Sequence, residues 1–193
     1  RNGESLHPGG RGCFESGRIG RVDIAGQGEG LRIAPYYGCQ VVRPIEGFDN
    51  TEYPMKMDEL FQWAGAEVVD YPVKAHCCGG HMTQISPETG LELIRRLIVE
   101  AERVGAHAMV TVCPMCQMNV DFYQREMNHH FREDHHMPIL FFTQLMGLAY
   151  GMPAKKLGFG REIISARPAL ALRCDGSAAV QGDGLPARLA LAL

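Results

Sequence analysis

Five cysteines fall into three groups: Cys39 alone, Cys77-Cys78 followed by Gly79-Gly80, and Cys113-Pro114-Met115-Cys116. Between them lie 37 residues (Cys39 to Cys77) and 34 residues (Cys78 to Cys113). Thiolates are soft donors that suit zinc and iron–sulfur centres. A structural zinc takes four ligands in a tetrahedron and leaves a fifth cysteine surplus. Neighbouring side chains also diverge along extended backbone, so an adjacent pair fits one tetrahedral ion poorly. A multi-iron cluster offers several coordination points and removes both objections. A thioredoxin-like dithiol at Cys113/Cys116 would leave Cys39, Cys77 and Cys78 idle. Gly79-Gly80 lets the backbone fold tightly around a bulky core, and Pro114 opens a helix whose free N–H groups face anionic sulfur.

Three chain segments can meet only if the fold brings them together, and the pattern of elements supplies a way. Leu31–Tyr36 reads as a strand, and Met57–Ala64 has helical spacing ending at Gly65. Glu67–Tyr71 is a second strand closed by Pro72. Ser86 is placed to cap a helix beginning at Pro87, with apolar positions at Leu91, Ile94, Leu97, Ile98, Ala101 and Val104 and a stop at Gly105. Ala108–Val112 is uniformly apolar, as a buried parallel strand should be. A helix over Pro114–Phe131, a strand over Ile139–Phe142 and a short helix capped by Thr143 complete the alternation. This order predicts a Rossmann-like α/β fold, a parallel four-stranded sheet with flanking helices. Each cysteine group then follows a strand, so the cysteine loops gather at the carboxyl ends, where such sheets bind ligands.

Composition narrows the function further. Nineteen Lys+Arg against 22 Asp+Glu leave a net charge of −3, without the positive excess that nucleic acid or an anionic membrane requires. The apolar share, 46%, is enough for a real core. Residues 1–30 carry nine glycines and read as a disordered leader; 31–167 form the folded domain; 168–193, Ala/Leu-rich but broken by Gly and Pro, read as a poorly ordered tail. Cys13 and Cys174 fall in those ends and are expected not to be ligands. The chain shows neither a charged-then-apolar leader pattern nor a transmembrane run, so reduced thiols in a cytoplasmic protein are expected.

At its cysteines the chain resembles the cysteine-rich CCG domain found in the B subunit of heterodisulfide reductase. The resemblance lies in Tyr37-Gly38-Cys39, His76-Cys77-Cys78-Gly79-Gly80, Val112-Cys113-Pro114-Met115-Cys116-Gln117 and Phe142-Thr143-Gln144-Leu145-Met146-Gly147-Leu148-Ala149. It implies a noncubane [4Fe–4S] cluster held by Cys39, Cys77, Cys78, Cys113 and Cys116, at which a disulfide is reductively cleaved. Electrons would come from partner subunits bearing cubane clusters and flavin. Family members carry two such domains in tandem, and the single copy here looks like the C-terminal one, leaving the first to another chain or another piece. An alternative is a non-catalytic iron–sulfur relay, as in related subunits of lactate- or glycolate-oxidising and quinone-linked complexes; a zinc-bound structural domain is a third.

Histidines offer the proton chemistry. His76 and His81 flank the Cys77-Cys78 pair and could give a proton to a departing thiolate, or merely orient the loop. His129, His130, His135 and His136 end a polar helix, where a solvated face is the simpler reading than a metal site.

Overall fold

The computed structural model describes residues 30–43, 49–150 and 152–171. Cys13, Cys174 and almost all of the glycine-rich leader and the tail lie outside these residues. Four strands form one all-parallel sheet in the order β2-β1-β3-β4: β1 is Arg32–Tyr36, β2 Glu67–Val68, β3 Ala108–Thr111 and β4 Ile139–Phe141. The helices are α1 (Gly38–Val41), α2 (Lys56–Trp63), α3 (Met82–Ile85), α4 (Pro87–Arg103), α5 (Pro114–Phe122), α6 (Gln124–Phe131), α7 (Phe142–Ala149) and α8 (Arg167–Ala171). No helix among the described residues is long and apolar enough to cross a membrane.

Alternation along the central strands builds a layer on each face of the sheet. Ile33, Ala108, Val110 and Leu140 pack with Phe61 of α2, Leu145 and Leu148 of α7 and Leu170 of α8. Ala34, Tyr36, Met109 and Ile139 pack on the other face with Leu91, Ile94, Leu97 and Ile98 of α4, Val120 of α5 and Met127 of α6. Each large side chain buried in this way contributes about 1.5–3 kcal/mol. The apolar stripe expected on the long helix is therefore the stripe that α4 buries, and its end lies where the glycine stands: Gly105 adopts φ +73° and its N–H bonds the Glu102 carbonyl at 2.8 Å.

Several boundaries differ from the sequence expectation, each for a visible reason. β2 stops at Val68: Glu67 and Val68 pair with Arg32 and Ile33 of β1, and the Val69 N–H makes the last bond, to the Ile33 carbonyl at 3.0 Å. Ser86 precedes α4 but its hydroxyl pairs with Thr89 Oγ1 at 2.8 Å instead of capping a backbone N–H. The single helix expected over 114–131 breaks at Tyr123. Just past the break, buried Gln124 bonds both the N–H and the carbonyl of Met137 (3.0 and 2.7 Å), tying α6 to the start of β4. Thr143 does not cap α7; the Gln144 side chain does, accepting from the Phe141 N–H at 2.8 Å. The short helices α1, α3 and α8 carry no amphipathic period long enough to be read from sequence.

His135 is a latch rather than part of a metal site. Its ring nitrogens lie 2.7 Å from Glu102 of α4 and 3.1 Å from Glu133, which also holds Arg95 of α4 bidentately. Partial burial opposes protonation, but the two carboxylates prevail and raise the imidazole above its ordinary value near 6.5. A raised folded value means the latch stabilises fully below pH 6.5 and weakens as pH rises through that folded value. His135→Gln should therefore lower the melting temperature more at pH 6 than at pH 8, the difference being about 1 kcal/mol or less for so exposed a contact. Thermal unfolding of both proteins at the two pH values checks this, and equal gaps would show that the latch does not titrate.

Candidate metal centre

Three loops deliver the five cysteines. Cys39 lies in α1, three residues beyond the end of β1, and Cys113 lies two residues beyond the end of β3. These strands are hydrogen-bonded neighbours running in parallel, so both cysteines leave the sheet at one edge. Strand order reverses here, since the chain passes from β1 out to β2 and returns to β3 on the other side of β1. Such a switch point leaves a crevice between diverging loops. Cys77-Cys78 does not directly follow its strand as expected: eight residues separate Val68 from Cys77, and side-chain and backbone bonds bring the pair back to the crevice.

Those bonds come from two adjacent tyrosines at the end of β1. Tyr36, fully buried on one face, donates to the His76 carbonyl at 2.7 Å. The backbone N–H groups of Tyr37 and Gly38 donate to the Lys74 carbonyl at 2.9 and 3.1 Å. From the other side, buried Asn119 of α5 donates to the Cys78 carbonyl at 2.8 Å. The turn holding the pair is thus fastened at residues 74, 76 and 78, to β1 and to the helix that carries Cys116.

Cys78 Sγ stands 3.4 Å from Cys116 Sγ, while Cys77 bears electrostatically on Cys39 and Cys113 on Cys116. Burial grades across them: Cys78 and Cys116 are buried, Cys39 and Cys113 half-buried, and Cys77 exposed. Among the described residues, no group of three His, Cys, Asp or Glu side chains is arranged to hold a single metal ion.

Proton affinities follow from this crowding. The Cys116 hydrogen bond, helped by the Gly80 N–H and Tyr36, draws the Cys78 thiol down to about 6 against the cost of burial. Cys116 is pushed up by donating to Cys78, by burial and by its neighbours' charge. Burial and the nearby Cys77 also raise Cys39. The Gly79 N–H lies 3.4 Å from Cys77 Sγ, so backbone donors face sulfur at both members of the pair. Five soft donors, with N–H groups aimed at two of them, fit an anionic sulfur-rich inorganic group.

Space at the crevice is kept by glycine. Gly38 adopts φ +67°, and a Cβ there would lie 3.1 Å from Cys116 Sγ and 3.5 Å from Tyr36 Oη. His76 and His81 are exposed at the edge of this site, and no side chain among the described residues bonds either ring. Sequence reasoning missed Tyr36, Asn119, Lys74 and Asp58. Tyr36 directly precedes the Tyr37-Gly38-Cys39 motif, but only the folded contacts give it and its neighbour work.

Comparison with known proteins agrees with this composition. Residues 33–121 match the CCG family, described as a cysteine-rich domain. The chain is 34% identical over 138 residues to an 8-methylmenaquinol:fumarate reductase membrane anchor subunit of Wolinella succinogenes, covering 70% of this chain and 49% of that protein. It is 33% identical over 138 residues to the B subunit of a ferredoxin/F(420)H(2)-dependent CoB-CoM heterodisulfide reductase of Methanosarcina acetivorans, covering 69% and 46%. The B subunit of a ferredoxin:CoB-CoM heterodisulfide reductase of Methanosarcina mazei is 32% identical over the same shares. The chain spans about half the length of these curated relatives.

One glycine outside the cysteine motif is needed to seat the Cys77-Cys78 turn. A Cβ at Gly90 of α4 would lie 2.6 Å from the Thr83 backbone nitrogen and 2.7 Å from its Cα, atoms of α3 that cannot rotate away. α3 continues directly from the Gly79-Gly80 turn, whose Gly79 carbonyl accepts from the Met82 N–H at 2.8 Å. Gly90→Ala should destabilise the fold by about 1–3 kcal/mol through overpacking. Chemical denaturation checks it, and an unchanged midpoint would show that α3 is free to move off α4.

Proposed function

Taking residues 33–121 as a CCG cysteine-rich domain, we propose that this chain is an iron–sulfur redox subunit of the heterodisulfide-reductase type. The observation that supports the proposal is that three loops carry five cysteines, Cys39 and Cys113 leaving neighbouring parallel strands at one edge and Cys78 Sγ standing 3.4 Å from Cys116 Sγ. Cys39, Cys77, Cys78, Cys113 and Cys116 would hold a noncubane [4Fe–4S] cluster. When bound, that group supplies one-electron steps at iron open to sulfur; the overall reaction is RSSR′ + 2e⁻ + 2H⁺ → RSH + R′SH, with electrons from cubane-cluster and flavin subunits.

The chain's own residues supply placement, shielding and protons. β1, β3 and the bonds at residues 74, 76 and 78 hold the thiolates so that little reorganises when an electron arrives. Burial of Cys78 and Cys116 keeps water from one side, while exposed Cys77 leaves the other open to a substrate. His76 and His81, both exposed and flanking the Cys77-Cys78 pair in sequence, would give the protons that the two product thiols require. Nothing in this scheme needs a nucleic acid or a helix through the membrane, and a cytoplasmic site accords with reduced thiols.

A second reading is favoured by the fumarate reductase relative: an iron–sulfur subunit that relays electrons in a quinol-linked complex without touching a disulfide. Anaerobic iron and sulfide analysis with electron paramagnetic resonance separates the two. The reductase reading expects about four iron and four sulfide per chain, and a signal that changes when a thiol disulfide is added under oxidising conditions. Cys78→Ala should keep most of the iron and lose that change. A signal indifferent to disulfide in the wild-type chain would favour the relay, and zinc in place of iron would overturn both.

A further inference from the structure

The least economical feature of the fold is a charge pair taken almost wholly out of solvent. Lys74 Nζ lies 2.9 Å from Asp58 Oδ1, and the two side chains are 1% and 5% exposed. Tyr37 Oη donates to the other carboxylate oxygen at 2.5 Å and accepts from the Met57 and Asp58 N–H groups at 2.7 and 3.0 Å. The ammonium also stands 4.0 Å from the centre of the Tyr53 ring and 3.2 Å from Met55 Sδ. Burying such a pair is about neutral or unfavourable compared with apolar residues of similar volume. Stability alone therefore gives little reason for it.

What the pair does have is direction. Tyr37 is two residues before Cys39, and Lys74 is three before Cys77. Their backbones are already joined through the Lys74 carbonyl, and their side chains are joined again through Asp58 at the start of α2. Apolar packing could hold the same segments together, but it would let them slide; ionic hydrogen bonds of fixed geometry would not. Cys78 has separate support from Asn119, whereas Cys39 and the Cys77 turn are tied by the backbone bonds to Lys74, by Tyr36 through His76 and, at the side-chain level, by this network.

We infer that Asp58, Lys74 and Tyr37 form a buried clamp that positions Cys39 against Cys77, and so sets the exposed half of the sulfur site. The inference rests on the proposed role of these cysteines as a ligand set. These three are positioning residues: none is expected to touch substrate or inorganic sulfur.

The test is made on the full chain without cofactor, using dibromobimane, which fluoresces once both of its arms have alkylated thiols. Peptide mass spectrometry gives the yield of the Cys39–Cys77 link relative to the Cys78–Cys116 link, an internal standard held by other contacts. The double variant Asp58→Leu/Lys74→Met removes the pair without leaving a lone buried charge. It should melt close to the wild type, yet its Cys39–Cys77 ratio should fall about fivefold or more, since intramolecular reactions weaken steeply with misplacement. An unchanged ratio in the folded double variant overturns the inference. Should that variant fail to fold, Tyr37→Phe decides, because it removes one hydroxyl and keeps the ring: a fall supports the clamp, and no change overturns it. Wild-type chain incubated with iron and sulfide is the separate control. If it takes up no iron, the ligand reading fails, while the cross-linking ratio still reports on the clamp.

Discussion

Parallel pairing of β1 with β3, from Ile33 opposite Ala108 to Tyr36 opposite Thr111, sets the height at which both chains leave the sheet. Cys39 and Cys113 follow within three residues, so the pairing places both at one edge of the sheet. A slip of one residue would exchange the faces of β1, sending Tyr36 toward α2 and Tyr37 toward α4. The first would then lose the His76 carbonyl and the second would lose Asp58, and the Cys77-Cys78 turn would have no fastening to the strand. Register is thus the constraint on which the sulfur site depends.

The register is itself protected by the two cores. β1 is covered on both faces, with Ile33 and Ala34 each wholly buried, so a slip would cost apolar burial on either side. The two faces also divide the labour. The α4/α5 face contributes buried Cys78 and Cys116, Asn119 and the close approach of Gly90 to α3. The α2 face contributes the Asp58–Lys74 pair and Tyr37. A single strand end carries both tyrosines, which is how two cores on opposite sides of a sheet act on one loop.

Buried polar groups are concentrated near the cysteines for a physical reason. Packing between apolar side chains fills space but tolerates small displacements, whereas hydrogen bonds to backbone carbonyls fix distances. Hydrogen bonds to the carbonyls of residues 74, 76 and 78 hold the backbone itself. The exposed thiol, Cys77, thus lies between two fastened carbonyls, those of His76 and Cys78.

Much of this was legible in one dimension. The alternation of elements, the stripe from Leu91 to Ala101 and the stop at Gly105 follow from local propensity and periodicity, which need no partner to be read. The five cysteines, with their spacing, are soft donors in a recognisable pattern, because donor type is a property of the residue. What the tertiary structure alone decided were contacts across many residues. Strand β2 pairs only Glu67 and Val68 with β1 before the chain turns away after Val69, and the helix over 114–131 breaks where Gln124 turns to Met137. Likewise the sequence holds Asp58 and Lys74 sixteen positions apart, as two ordinary charges that any surface would accept. Only the fold removes both from water, and removal from water is what turns a charge into a geometric constraint.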